Sequence, residues 1–170
     1  DRPVNAVGAA RTALQRLRGK GLLSSAVARR GTGSLFVRHL DGGSSNLAEA
    51  ELIAVTGAVY DLEQYGIHFV TSPRHADVLL VTGPLTVAML APTLEAWQVM
   101  PPHRCIVTAG DHADFAHLGP DPTGWDARIA RLLAGSYATT ELPEELRRAI
   151  VAHAPGDPPT PLRIIEALLT

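Results

Sequence analysis

The sequence predicts an α/β fold, a parallel β-sheet covered by helices, in one domain behind a basic helical arm. Three observations carry this expectation. Asp77 to Val81 and Arg104 to Ala109 are continuous apolar runs after a charged start, the kind found in strands buried on both faces. Strand-like and helix-like segments alternate along the chain, as they do in βαβ units. The 170 residues, 46% hydrophobic and 19% charged, suffice for one domain with a substantial core.

Residues 3–18 read as a helix, because Val4, Val7, Leu14 and Leu17 recur at helical spacing and arginines take the other faces. Gly19 and Gly21 end it. A short apolar piece from Leu22 to Ala28 follows, and Gly31-Thr32-Gly33 is a joint, so the arm is assigned to 1–30 and the domain to 31–170. Ser34 to Leu40 is a strand with Leu35, Val37 and His39 opposite Phe36, Arg38 and Leu40. Leu47 to Thr56 is a helix with Asn46 as N-cap. Ile67 to Val70 is a short strand. Thr86 to Met100 is mostly helix, with Pro92 expected to begin or kink a turn. Asp126 to Leu133 is expected to be helical, and Glu144 to Val151 fits helix or strand. Thr160 can cap a last helix with Pro161 at its first position and Leu162, Ile165, Leu168 and Leu169 as its stripe.

Charge is divided unevenly. Residues 1–30 hold seven Lys/Arg and one acid, a net +6; the remainder holds eight Lys/Arg and sixteen acids, a net −8. A basic arm on an acidic body suits docking on an acidic partner surface or on anionic lipid. Nucleic acid is not an expected partner, since the body is acidic and no recognition motif is present. No stretch is long and apolar enough to span a bilayer, and the arginine-interrupted start does not read as a signal peptide. The single cysteine, Cys105, excludes an internal disulfide and a cysteine-ligated cluster held within this chain. Its apolar neighbours suggest a core thiol. No Gly-x-Gly-x-x-Gly or phosphate-loop motif occurs, and His39, His75 and His117 lack ligand spacing.

Three segments form a frame: Gly43-Ser44-Ser45-Asn46-Leu47-Ala48-Glu49-Ala50-Glu51, then Gly110-Asp111-His112-Ala113, then Pro155-Gly156-Asp157-Pro158-Pro159. They resemble G-S-C-N-x-C-E-x-E, G-D-C-A and P-G-C-P-P of the small subunit of energy-converting, membrane-bound [NiFe] hydrogenases, a family akin to the cluster-bearing subunit of respiratory complex I. Ser34 to Asp41, Tyr60 to Val70 and Ala134 to Ala138 are also similar to that family. So is Ser72-Pro73-Arg74-His75-Ala76-Asp77-Val78-Leu79-Leu80-Val81-Thr82-Gly83-Pro84, the most specific piece. The resemblance covers most of residues 34–170. The C-x-x-C spacing of Ser45 and Ala48 points to its hydrogenase-like branch.

The resemblance implies a flavodoxin-like, doubly wound sheet with a proximal [4Fe-4S] cluster in loops at the carboxyl ends of the strands. The four ligand cysteines correspond here to Ser45, Ala48, His112 and Asp157. The cluster is therefore expected to be absent, and no metal is expected; if one binds, His112 and Asp157 are the ligands to consider. A His112–Asp157 ion pair or hydrogen bond filling the vacated pocket is the preferred expectation. Glu49 and Glu51 stand where the family has acids against the large subunit or on a proton path, or else they support the first helical turn. The expected function is that of a non-catalytic structural subunit of a complex related to complex I and these hydrogenases. Its expected partners are a large-subunit homologue, antiporter-like membrane subunits and, through the arm, anionic lipid. The expected location is the cytoplasmic side of the inner membrane, peripheral, in a bacterium or archaeon. An oxidoreductase subunit with an altered metal centre, and a free-standing binding protein reusing the fold, are the alternatives.

Overall fold

The computed structural model describes residues 34–44, 46–83, 85–110 and 142–169. Five strands form one sheet: β1 (Leu35–Asp41), β2 (Ile67–Phe69), β3 (Val78–Thr82), β4 (Cys105–Ala109) and β5 (Ile150–Ala154). Their order is β2-β1-β3-β4-β5 and every pairing is parallel. This is the flavodoxin-like order, with the chain reversing direction across the sheet beside β1 and β3. Helices α1 (Leu47–Thr56), α2 (Val87–Val99), α3 (Glu144–Ala149) and α4 (Pro161–Leu168) cover it. Short 3₁₀ turns at Leu62–Tyr65 and Pro73–His75 precede β2 and β3.

The strand period of two sorts the central side chains between two cores. Val78 and Leu80 join Leu35, Val37, Leu52, Val55, Ile164 and Ile165 under α1 and α4. Leu79 and Val81 join Leu85, Trp97, Met100, Ile106 and Leu146 under α2 and α3. All five residues of β3 are buried, as a strand covered on both faces requires. Arg104 closes the lower end of the second core, its guanidinium 4.4 Å from the centre of the Trp97 ring.

Several local expectations are corrected. Pro92 does not begin a turn; it lies inside α2. Thr93 donates its hydroxyl to the Met89 carbonyl at 2.6 Å one residue further on. Glu144 to Val151 is neither helix nor strand alone. It turns from α3 into β5 at Ile150, where the apolar alternation begins. Asn46 precedes α1, but its side chain makes no capping bond and its backbone is left-handed, φ 66°. Its N–H instead donates to Ser44 Oγ at 3.1 Å. Pro161 opens α4 as expected, whereas Thr160 makes no capping bond. Cys105 is half-buried at the first residue of β4 rather than deep in the core. The expected helices at 3–18 and 126–133, and the joint at 31–33, lie outside the described residues.

Candidate vestigial cluster cradle at the strand ends

β1, β3, β4 and β5 all run toward the same end of the sheet and all stop at glycine-containing turns. Gly43, Gly83, Gly110 and Gly156 have φ of +124°, +67°, +100° and +125°, conformations that glycine adopts without penalty. Backbone bonds stitch these turns together. Gly42 N–H reaches Thr82 O at 2.9 Å, Gly83 N–H reaches Ala109 O at 3.3 Å, and Gly110 N–H reaches Ala154 O at 2.9 Å. The packing is closest between Gly83 and Ser44. A Cβ on Gly83 would stand 2.6 Å from Ser44 Cα and 2.7 Å from Ser44 N.

One carboxylate ties the β1 and β3 ends to α1. Glu49, in the first turn of α1, accepts a hydrogen bond from Ser44 Oγ at 2.5 Å through Oε2, and one from Thr82 Oγ1 through Oε1. Thr82 has spent its only hydroxyl proton on Glu49, so it accepts from His39 Nε2, 2.9 Å away. His39 Nε2 lies 3.6 Å from Glu49 Oε1. Asp41 Oδ1 accepts from the N–H groups of Gly43 and Ser44 at 2.8 and 2.7 Å, which shapes the turn after β1. At the far side of the sheet Thr108 Oγ1 pairs with His153 Nδ1 at 2.9 Å. Arg163 holds the Pro155 carbonyl at 2.9 Å, fixing the last turn against α4. Beside the network, His39, Glu49, Leu52, Ile53, Thr56 and Phe69 line a groove of about 210 Å³.

Burial lowers the His39 pKa below its ordinary value, outweighing the opposite pull of Glu49 and Asp41. Burial alone would raise the Asp41 carboxyl, but the Ser44 and Gly43 N–H groups reverse this and hold it below its ordinary value. A histidine with a depressed folded-state pKa binds its proton more readily when unfolded. Stability is therefore full above the unfolded value and is lost as pH falls below about 6.5 toward the folded pKa. Thermal unfolding midpoints should fall between about pH 7 and pH 5.5, and His39→Gln should flatten that slope. An unchanged slope would place the titration elsewhere.

The frame residues are brought together only in part. Ala48 sits in the first turn of α1, 6% exposed, with its methyl group inward. Asp157 is exposed in the turn after β5. Glu49 holds the network just described, and Glu51 is half-buried on α1. Ser45 and His112 lie outside the described residues, as does any His112–Asp157 pairing. A four-iron cluster needs four thiolates or occasional imidazole substitutes, and this donor set does not fit it. A methyl group cannot ligate, and the one thiol of the chain is misplaced. Cys105 opens β4, about 16 Å of strand from Gly110, and it faces the Asp77 carbonyl at 3.9 Å. Among the described residues no group of three or more His, Cys, Asp or Glu side chains is placed to hold a metal ion.

The role of His39 was not legible from spacing. It reaches Thr82 and Glu49 only because β1 and β3 pair in register, His39 beside Leu80 and Asp41 beside Thr82. The signal that could have found it is its parity with Leu35 and Val37, which puts it on the α1 side of the sheet.

The chain has known relatives. The chain is 43% identical over 77 residues to formate hydrogenlyase subunit 7 of Escherichia coli, covering 45% of this chain and 30% of that protein. It is 29% identical over 136 residues to the probable membrane-bound hydrogenase subunit mbhJ of Pyrococcus furiosus, covering 80% and 72%. Among solved structures, a chain of the membrane-bound sulfane sulfur reductase, an archaeal respiratory membrane complex, shares the fold. Its TM-score is 0.59 at 20% identity, over 86% of this chain and 71% of that one. Residues 47–170 match the model of the NADH ubiquinone oxidoreductase, 20 Kd subunit. The chain is therefore a member of that family, related to subunits of membrane-bound hydrogenases and complex I-type complexes, and one that carries a single cysteine.

Proposed function

We propose that this chain is a cluster-free structural subunit of a membrane-associated complex related to complex I and the energy-converting hydrogenases. The observation that carries the reading is the buried methyl of Ala48 at a ligand position, in a chain whose only thiol stands at the opposite end of β4. Glu49 supports it. Its carboxylate links β1, β3 and α1 through hydroxyl groups of the chain itself, so the strand ends are held without a metal. In this reading the body packs on a homologue of the hydrogenase large subunit, and electron flow through this position is interrupted. The assembly then works as an ion- or proton-translocating machine on the cytoplasmic face of the membrane. No helix among the described residues is long and apolar enough to cross a membrane. In this reading contact with the bilayer runs through partners or a peripheral surface.

Affinity purification from native membranes tests the assembly. A large-subunit homologue and antiporter-like membrane chains are expected to copurify in fixed ratio. A lone monomer with no copurifying chain would overturn the reading.

A further inference from the structure

The outer faces of the helices differ. α3 shows solvent Glu144, Glu145, Arg147 and Arg148, and α4 shows Arg163 and Glu166. The solvent face of α1 consists of Leu47, Ala50, Ile53, Ala54 and Thr56, with no charge at all. Leu47 is 49% and Ile53 73% exposed, and Val59 just beyond the helix is 38% exposed. An outer helix face this apolar, flanked by the half-buried Glu49 and Glu51, marks a surface that packs against another element. Ala50 and Ala54, one turn apart, let a second helix approach closely. The groove between Ile53 and Phe69 has room for an apolar side chain.

We propose that the basic segment 3–18 of this same chain packs as a helix on the outer face of α1. Charge selects it. From Leu35 to Phe69, the β1–α1–β2 edge of the sheet, the chain carries five acids, Asp41, Glu49, Glu51, Asp61 and Glu63, against one arginine, Arg38, a net −4. The neighbouring α4 adds Arg163 and Glu166, which cancel. Segment 1–30 is its complement at +6, with Val4, Val7, Leu14 and Leu17 as an apolar stripe. The geometry permits the contact. Ser34 enters the sheet beside the turn that precedes β2, where Leu35 N–H bonds the Gly66 carbonyl at 2.7 Å. The fifteen residues from 19 to 33 span up to about 50 Å when extended, several times the length of α1 at about 15 Å. An anionic lipid surface is the poorer occupant, because the same acids would repel it.

Limited trypsin digestion of the full chain reads the contact through cleavage after Arg11, Arg16 and Arg18. Ile53→Asp should speed this cleavage at least about tenfold, because protease attacks the undocked population. Ile53→Leu should leave it slow. Ile53 is exposed, so circular dichroism of the body should be unchanged in both variants, and Leu14→Asp should reproduce the effect from the other side. Equal rates in the parent chain and Ile53→Asp would overturn the proposal. Protection that arises only on phosphatidylglycerol vesicles, or only in the purified complex, would also overturn it and assign the arm to lipid or to a partner chain. The outcome does not depend on iron content, so it can fail while the proposed function stands.

Discussion

Gly83→Val should destabilise the domain by about 3 to 5 kcal/mol and leave little folded protein. Two penalties add at this position. The backbone sits at φ +67°, where a β-branched residue is strained. The new Cβ would also meet Ser44 backbone atoms at 2.6 to 2.7 Å, and Ser44 cannot retreat freely. Its N–H is held by Asp41 at 2.7 Å and its hydroxyl by Glu49 at 2.5 Å. Forcing the loop away would break the bonds that join β1, β3 and α1. Domains of this size are stable by only about 5 to 15 kcal/mol, so the loss takes a large share. Chemical denaturation of the variant against the parent checks it, and a difference under about 1 kcal/mol would show that the two turns are not in contact. Gly110→Ala makes a useful contrast: among the described residues its added carbon meets nothing nearer than 3.9 Å, and the positive φ adds its own penalty.

The second large effect concerns iron. If the four frame positions held thiolates, anaerobic reconstitution would load about four irons per chain. With serine, alanine, histidine and aspartate there, loading should be close to zero. The reason is chemical before it is geometric. Alanine offers no donor, and a serine hydroxyl is a poor ligand at neutral pH. Imidazole and carboxylate suit harder, single divalent ions better than a sulfide cluster. The structure adds the placement of Ala48 in the buried first turn of α1 and of Cys105 far down β4. Glu49 keeps the strand ends together by hydrogen bonds where a cluster would do so by coordination.

Much of the fold could be read from the chain because its signals are local. The unbroken apolar runs at β3 and β4 announced strands covered on both faces, and the described order β2-β1-β3-β4-β5 agrees with the resemblance. The failures are also physical. Pro92 reads as able to begin a turn, yet α2 carries it in its interior. Asn46 reads as a cap, yet its backbone is left-handed and its side chain makes no capping bond. The site was legible as a list of positions, since the frame motifs lie in sequence order. The network was not legible, because His39, Glu49 and Thr82 are separated by up to 43 residues and meet only through parallel register.

Whether this family frame has ceased to hold a cluster is tested most directly by iron and acid-labile sulfide per chain, on protein purified and reconstituted without oxygen. A cluster-free cradle predicts substoichiometric iron, no broad visible absorbance from sulfide-to-iron charge transfer, and no change on replacing Asp157 by alanine. About four irons and four sulfides per chain, or any stoichiometric metal lost in Asp157→Ala or His112→Ala, would contradict it and return an electron-transfer role to this position.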